Sequence, residues 1–193
     1  MLENLRKYKI LLASKSPRRH ELLSHLRIPF NTVIIRGIDE SYPDDMPVLD
    51  IPEYLSQKKA DAYLASFNSN EMIITADTLV ICDGKVMGKP HDHKEAYEMI
   101  NALSGNTHQV ITGVCISTKE KKVAFSDKTD VKFCEMTKEE IDYYINNFRP
   151  FDKAGAYGIQ EWIGCVAVES IEGSYYNVMG LPVHRLYEEL KKF

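Results

Sequence analysis

The apolar run Ile10-Leu11-Leu12-Ala13 stops at Ser14-Lys15-Ser16 and meets a proline at position 17. A short apolar run bounded by turn residues reads as a buried strand. Ser16 is a preferred N-cap and Pro17 suits the first helical position, so a helix starts there, with Leu22, Leu23 and Leu26 on its inner face. A buried strand passing directly into a capped helix points to an α/β chain.

The rest keeps alternating. A second strand is expected at residues 30–35, then a Pro/Asp-rich loop and a helix over 52–67, with Ile51, Tyr54, Leu55, Ala62 and Ala65 as its apolar stripe. Lys58 and Lys59 fall where further members of that stripe belong. A lysine there either snorkels to water or reaches an anion in a cleft. Residues 72–76 and 78–82 read as strand interrupted by Asp77, and Asp83-Gly84 is a hairpin turn signal. Asp92-x-x-Glu95 opens a helix that Ser104-Gly105 ends. Residues 108–117 and 123–133 form a hairpin pattern, and Thr137-x-x-Glu140 caps a helix running to about residue 147. A glycine-punctuated segment, 152–164, precedes a strand over 165–171, a turn at Glu172-Gly173 and a closing helix over 182–190. This order predicts an α/β fold, a mixed sheet with helices on both sides, in a single domain over residues 1–193.

Composition narrows the function classes. With 44% hydrophobic and 27% charged residues, the 193-residue chain can bury a real core. A net charge of −4 argues against a nucleic-acid-binding surface. Cys82, Cys115, Cys134 and Cys165 form no C-x-x-C pair and read as buried free thiols in strands. The first apolar run is too short for a signal core or a membrane span, so a cytoplasmic protein with no membrane partner is expected.

Five stretches carry candidate chemistry. Ser14, Ser16, Arg18 and Arg19 surround a helix N-terminus, where free N–H groups and the dipole favour an anion. Two arginines there oppose the dipole, so they call for a phosphate or for a nearby acid. Asp77 is an acid within strand residues, and such carboxylates are paired, metal-bound or at a solvent-facing irregularity. Gly88-Lys89-Pro90 and Asp39-Glu40 read, taken alone, as solvated turns. In 152–160, small residues and glycines permit close backbone approach to a ligand.

Taken in order, these stretches resemble the Maf family of nucleotide pyrophosphatases, also called septum-formation inhibitors. The series is S-K-S-P-R-R-x-E-L-L from Ser14, Asp39-Glu40, L-x-x-x-K-A from Leu55, Ala76-Asp77-Thr78, Gly88-Lys89-Pro90, L-S-G-x-T-H-x-V-x-T-G from Leu103, D-K-A-G-A-Y-G-I-Q from Asp152 and V-M-G-L-P from Val178. The resemblance implies an inosine-triphosphatase-like fold with a cleft between two lobes, a small-molecule nucleotide substrate, and often a homodimer. Arg18, Thr78 and Gln160 follow the branch similar to dTTP and UTP pyrophosphatases rather than the sister branch acting on 7-methyl-GTP. Trp162 departs from the glycine that the resemblance leads one to expect.

The roles implied are these. Arg19, Lys59, Lys89 and Lys153 surround the phosphates, with Ser14 and Ser16 adding hydrogen bonds. Glu40 and Asp77 hold Mg²⁺ or Mn²⁺ through oxygen ligands, and Asp77 also takes the proton of the attacking water. Arg18, Thr78 and Gln160 read the base, the Gln amide both donating to and accepting from a pyrimidine edge. The rival function is a non-catalytic nucleotide-binding regulator of cell division.

Overall fold

The computed structural model describes residues 2–34, 37–64 and 68–193. Its strands form a seven-stranded sheet in the order β2-β1-β3-β5-β6-β7, with β4 paired to β3. β1 (Lys9–Ala13) runs parallel to both β2 (Asn31–Val33) and β3 (Glu71–Cys82), whereas β4 (Lys85–Met87) is antiparallel to β3. β7 (Val168–Glu172) is antiparallel to β6 (Lys122–Phe133), and β5 (Thr107–Ser117) neighbours both β3 and β6. The sheet is therefore mixed, as the alternating pattern predicts. The chain divides into two compact units, Met1–Asp77, Thr112–Asp127 and Gly180–Phe193 in one, Thr78–Ile111 and Lys128–Met179 in the other.

In the first unit, Leu12 pairs with Thr32 on one side and Ile74 on the other. Leu11, Ala60, Ile73 and Cys115 form a buried cluster, with Ala13, Val33, Tyr63 and Ala124 packed against it. Helix α1 (Pro17–Ser24) buries Leu22 and Leu23 completely, while Leu26 lies past its end and is only half-buried. Helix α2 (Ile51–Leu64) buries Ile51 and Leu55 of the expected stripe and half-buries Tyr54, but departs from the stripe at Ala62. Ile51, Leu55, Ser56 and Ala60 are buried and Ala62 is exposed. The helix is turned so that Ser56 O accepts a hydrogen bond from Thr75 Oγ1 of β3 at 2.6 Å, which goes with Ser56 and Ala60, rather than Ala62, being buried. Ala65 and the rest of 65–67, like 35–36 of the expected second strand, lie outside the described residues. At Gly113 of β5 the approach to α2 is so close that a Cβ would stand 2.1 Å from Pro52 C and 2.2 Å from Glu53 N.

Strand β3 is continuous through Asp77, contrary to the expected interruption. The acid shows in the burial instead, which lapses at 77–79 within an otherwise buried strand.

The second unit holds the hairpin turn at Asp83-Gly84 between β3 and β4. Asp92 caps α3 (His93–Leu103) by accepting from Glu95 N at 2.8 Å, but the Glu95 carboxylate takes the His91 N–H, one residue earlier than a capping box requires. The box at Thr137 and Glu140 of α4 (Lys138–Phe148) is complete. Cys165 and Val166 are helical, in α5 (Trp162–Val166), so the strand expected from residue 165 starts at Val168. Among the cysteines, Cys82 and Cys115 are buried in strands as expected, whereas Cys134 is half-buried and Cys165 exposed. Helices α6 (Tyr175–Met179) and α7 (Val183–Leu190) complete the chain. Among the described residues no helix is long and apolar enough to cross a membrane.

His108 is wholly buried in this second core, edge-on to Phe133 and Tyr157, with Nε2 2.7 Å from the Tyr157 hydroxyl. Its Nδ1 has no hydrogen-bond partner among the described residues. Burial pushes its pKa down to about 4. The unfolded chain, with an ordinary imidazole, therefore binds more protons between that value and pH 6.5, and stability falls as pH drops through this window. Between pH 7.5 and 5.5 the His108 contribution is a loss of roughly 1.4 kcal/mol. Urea unfolding of wild type and His108→Gln at both values checks this: the wild type is expected to lose that much more than the variant, and equal losses would refute it.

Candidate functional site

Strand β1 ends at Ala13, and the next three residues turn the chain into α1. Ser14 Oγ accepts from Ser16 N at 3.1 Å, and Ser16 Oγ accepts from Arg19 N at 3.4 Å, the N-cap read from the sequence. Both serines thus shape the turn at the carboxyl end of a parallel strand, the place where open α/β sheets bind ligands. Arg19, on the first turn of α1, is half-buried. Its Nε donates to Gly180 O at 2.8 Å and its Nη1 to Ala76 O at 2.8 Å. Carbonyls orient a guanidinium without neutralising it. Burial lowers the Arg19 pKa from its ordinary value, Asp77 opposes that, Arg18 adds to it, and Glu40 opposes it again. Arg19 is therefore answered partly by Asp77 and Glu40.

Helix α2 supplies the second cation. Lys59 Nζ lies 2.5 Å from Asp77 Oδ1 and 3.0 Å from Glu40 Oε1. The Lys59 and Asp77 side chains are 14% and 15% exposed, the Glu40 side chain 62%, so the pair at Asp77 is sheltered while Glu40 reaches in from solvent. Of the two readings of Lys58 and Lys59, the structure favours contact with anions for both. Lys58 Nζ donates to Asp39 Oδ2 and to Ser41 O, each at 2.9 Å. Asp39 also accepts from Ser41 N at 2.9 Å and Ser41 Oγ at 2.6 Å. These bonds, led by the Ser41 hydroxyl, hold the Asp39 carboxyl far below the usual carboxylate range. The loop that carries Glu40 is thus clamped to α2 by the lysine next to the one that meets Glu40. Sequence reasoning placed Asp39 beside Glu40 but missed this clamp; the adjacent lysines were its only local signal.

Two carboxylates converging on one ammonium are also the start of a site for a hard cation. Glu40 and Asp77 offer two charged oxygens, and a divalent ion there would complete its shell with phosphate oxygens and water. The donor set fits such an ion as part of a substrate complex, not as a closed protein cage, and among the described residues no group of three or more His, Cys, Asp or Glu is placed to hold a metal ion.

The second unit carries the remaining candidates. Thr78 follows Asp77 on β3 and is half-buried. Lys89 is exposed just beyond β4, and the preceding Gly88 O accepts from Gly155 N at 3.0 Å, joining the two glycine-containing loops. Lys153 is only 7% exposed, with Nζ 2.7 Å from Asp152 Oδ1 and 3.2 Å from Glu161 Oε1. Gln160 is exposed on the turn before Glu161. Glu161 was not singled out in the sequence, although it follows the motif directly.

A model of the family described as Maf-like protein matches residues 9–193. The chain is 57% identical over 193 residues to the dTTP/UTP pyrophosphatase of Parabacteroides distasonis, covering all of both chains. It is 58% identical over 192 residues to the dTTP/UTP pyrophosphatase of Phocaeicola vulgatus, again over both whole chains. With that of Porphyromonas gingivalis the identity is 54% over 195 residues, covering this chain fully and 98% of the other. Among solved structures, a nucleoside-triphosphatase / dITP/XTP pyrophosphatase from Mycobacterium abscessus is 14% identical with a TM-score of 0.41, over 73% of this chain and 95% of that one.

Proposed function

The chain belongs to the Maf family, and from that premise we propose that it hydrolyses nucleoside triphosphates, dTTP and UTP foremost, to the monophosphate and pyrophosphate. The whole chain works as one domain in this reading, on the cytoplasmic nucleotide pool. The observation that carries it is the cluster of Lys59 against Asp77 and Glu40, beside the half-buried Arg19, at the carboxyl end of parallel strands.

Charge explains why that cluster suits the reaction. A triphosphate presents several negative charges around the α-phosphorus, which repel an attacking oxygen until they are neutralised. Lys59 and Arg19 supply fixed positive charge, the turn at Ser14 and Ser16 supplies hydrogen-bonding groups, and Lys89 and Lys153 are assigned to phosphate as well. Mg²⁺ or Mn²⁺ held by Glu40 and Asp77 would add charge neutralisation and make bound water more acidic. Asp77 takes the proton of the attacking water. The new bond forms between that oxygen and the α-phosphorus, the α–β bridging bond breaks, and pyrophosphate leaves with the bond's electron pair. Lys59, paired with Asp77 in the free protein, exchanges that partner for phosphate oxygens as substrate enters.

Base choice is assigned to Arg18, Thr78 and Gln160. An amide meets a pyrimidine edge with one donor and one acceptor, which a hydrophobic wall cannot do. The purified protein is expected to release pyrophosphate from dTTP and UTP with kcat/KM at least about tenfold above that for CTP and for 7-methyl-GTP. Binding of dTTP with no product formed in saturating Mg²⁺ or Mn²⁺ would favour the rival regulator; preference for 7-methyl-GTP would reject the base assignment.

A further inference from the structure

The turn that carries Gln160 is held by groups that the proposed reaction does not use. The Tyr144 hydroxyl, on α4, accepts from Gly158 N at 3.0 Å and donates to Glu161 Oε2. The other Glu161 oxygen pairs with Lys153 Nζ at 3.2 Å. One phenol therefore grips the loop on both sides of Gln160 and is linked through a single carboxylate to a buried lysine.

The arrangement is closely packed. Tyr144 is fully buried, and its ring stacks on Phe148 with centroids 5.2 Å apart. Its neighbour Tyr143 packs edge-on against Trp162 at 4.9 Å, which fixes the start of α5 right after the turn. The tryptophan standing where a glycine was expected thus ties the loop to α4. Burial, then the bond to Glu161, raises the Tyr144 pKa well beyond its ordinary value, so the hydroxyl keeps its proton and remains a donor. A Cβ added at Gly158 would lie 2.8 Å from Gln160 Nε2, 3.0 Å from Glu161 Cδ and 3.1 Å from Lys153 Cε. The three side chains converge on that one glycine.

We propose that Glu161 and Tyr144 are a positioning pair for substrate selection, setting the Gln160 amide and the Lys153 ammonium at a fixed separation. The inference rests on the reading of Gln160 as a contact to the base and Lys153 as a contact to phosphate. Neither Glu161 nor Tyr144 touches substrate; each acts through the groups it holds.

Three variants test it, each assayed for kcat and KM on dTTP, UTP and CTP alongside its melting temperature. Gln160→Ala examines the underlying reading and is expected to shrink the preference for dTTP over CTP. Tyr144→Phe keeps the stacked ring and removes only the oxygen; it is expected to reduce that preference about tenfold through KM, with kcat changed less than about threefold. Glu161→Gln keeps an acceptor for Tyr144 but removes the charge facing Lys153. It is expected to raise KM for all three triphosphates by about fivefold or more while leaving their ratio near wild type. A loss of stability alone does not move a preference ratio, which separates positioning from folding. If Gln160→Ala abolishes the preference while a folded Tyr144→Phe keeps wild-type ratio and KM, the positioning pair is wrong and the base reading stands. If Gln160→Ala leaves the preference intact, the base reading fails and the inference with it. Should Tyr144→Phe not fold, an unchanged KM in Glu161→Gln overturns the proposal and a general rise in KM supports it.

Discussion

Asp77→Asn is expected to lower turnover of dTTP by ~10²–10⁴, the range associated with loss of a general base. The substitution keeps the shape of the side chain but removes its charge, and Asp77 is the residue on which three separate features depend. Lys59 Nζ sits 2.5 Å from it, Arg19 draws its largest favourable charge interaction from it, and Glu40 shares its lysine. A glutamine or asparagine amide neither accepts a proton from water at neutral pH nor balances Arg19. Lys59 retains Glu40 after the change, so the fold is expected to survive. Steady-state pyrophosphate release at saturating Mg²⁺, with a thermal melt of the same sample, checks the expectation. Near-normal turnover by a folded variant would remove Asp77 from the chemistry.

Gly113→Ala carries the largest expected effect on stability. The added methyl would stand 2.1 Å from Pro52 C, 2.2 Å from Glu53 N and 2.3 Å from Pro52 O. These are backbone atoms at the start of α2, which cannot step aside as a flexible side chain could. Over-packing of this kind costs typically 1–3 kcal/mol and occasionally more. Because three backbone atoms are met at once, a loss of about 3 kcal/mol or more is expected, equivalent to a fall in Tm of roughly 6 °C or more for a chain of this size. Relief of the clash must push α2 off β5, so activity is expected to fall too, as α2 carries Lys58 and Lys59. Differential scanning calorimetry with an activity assay decides: an unchanged Tm would refute the expected clash between β5 and the start of α2.

Elements marked by short-range chemistry were legible in the sequence. Ser16 and Pro17 start α1, Asp83-Gly84 turns β3 into β4, and Thr137 with Glu140 caps α4, because each signal acts within four residues. The misreadings share a different cause. A charge within a strand suggested a break at Asp77, yet a lysine 18 residues earlier in sequence meets that carboxylate and the strand continues. Ala62 was placed inside by periodicity, but the hydrogen bond from Thr75 to Ser56 O helps fix which face of α2 lies on the sheet. A β-favouring run at Cys165 and Val166 is helical, where α5 follows the packing of Trp162 on Tyr143.

The site divides in the same way. Local physics marked Ser14, Ser16, Arg18, Arg19 and Asp77 as unusual and left open whether an anion or an acid answers the arginines. Naming Lys89, Lys153 and Gln160 required the family resemblance, since each alone reads as a loop residue. Glu161 and the clamp of Lys58 on Asp39 and Ser41 were missed despite the adjacent lysines and the motif before Glu161, because their meaning resides in partners distant along the chain or in a loop with no pattern of its own.

Helix α2 works as a ruler. It is butted at Pro52 against β5, and it delivers two consecutive lysines to one short loop, Lys58 to residues 39 and 41, Lys59 to residue 40. Adding or deleting a single residue between these points would rotate both ammonium groups by about 100° and shift them about 1.5 Å along the axis. Neither could then find its mark, however well the altered helix folded. Substitutions across its outer face should be tolerated freely, while its length admits no change.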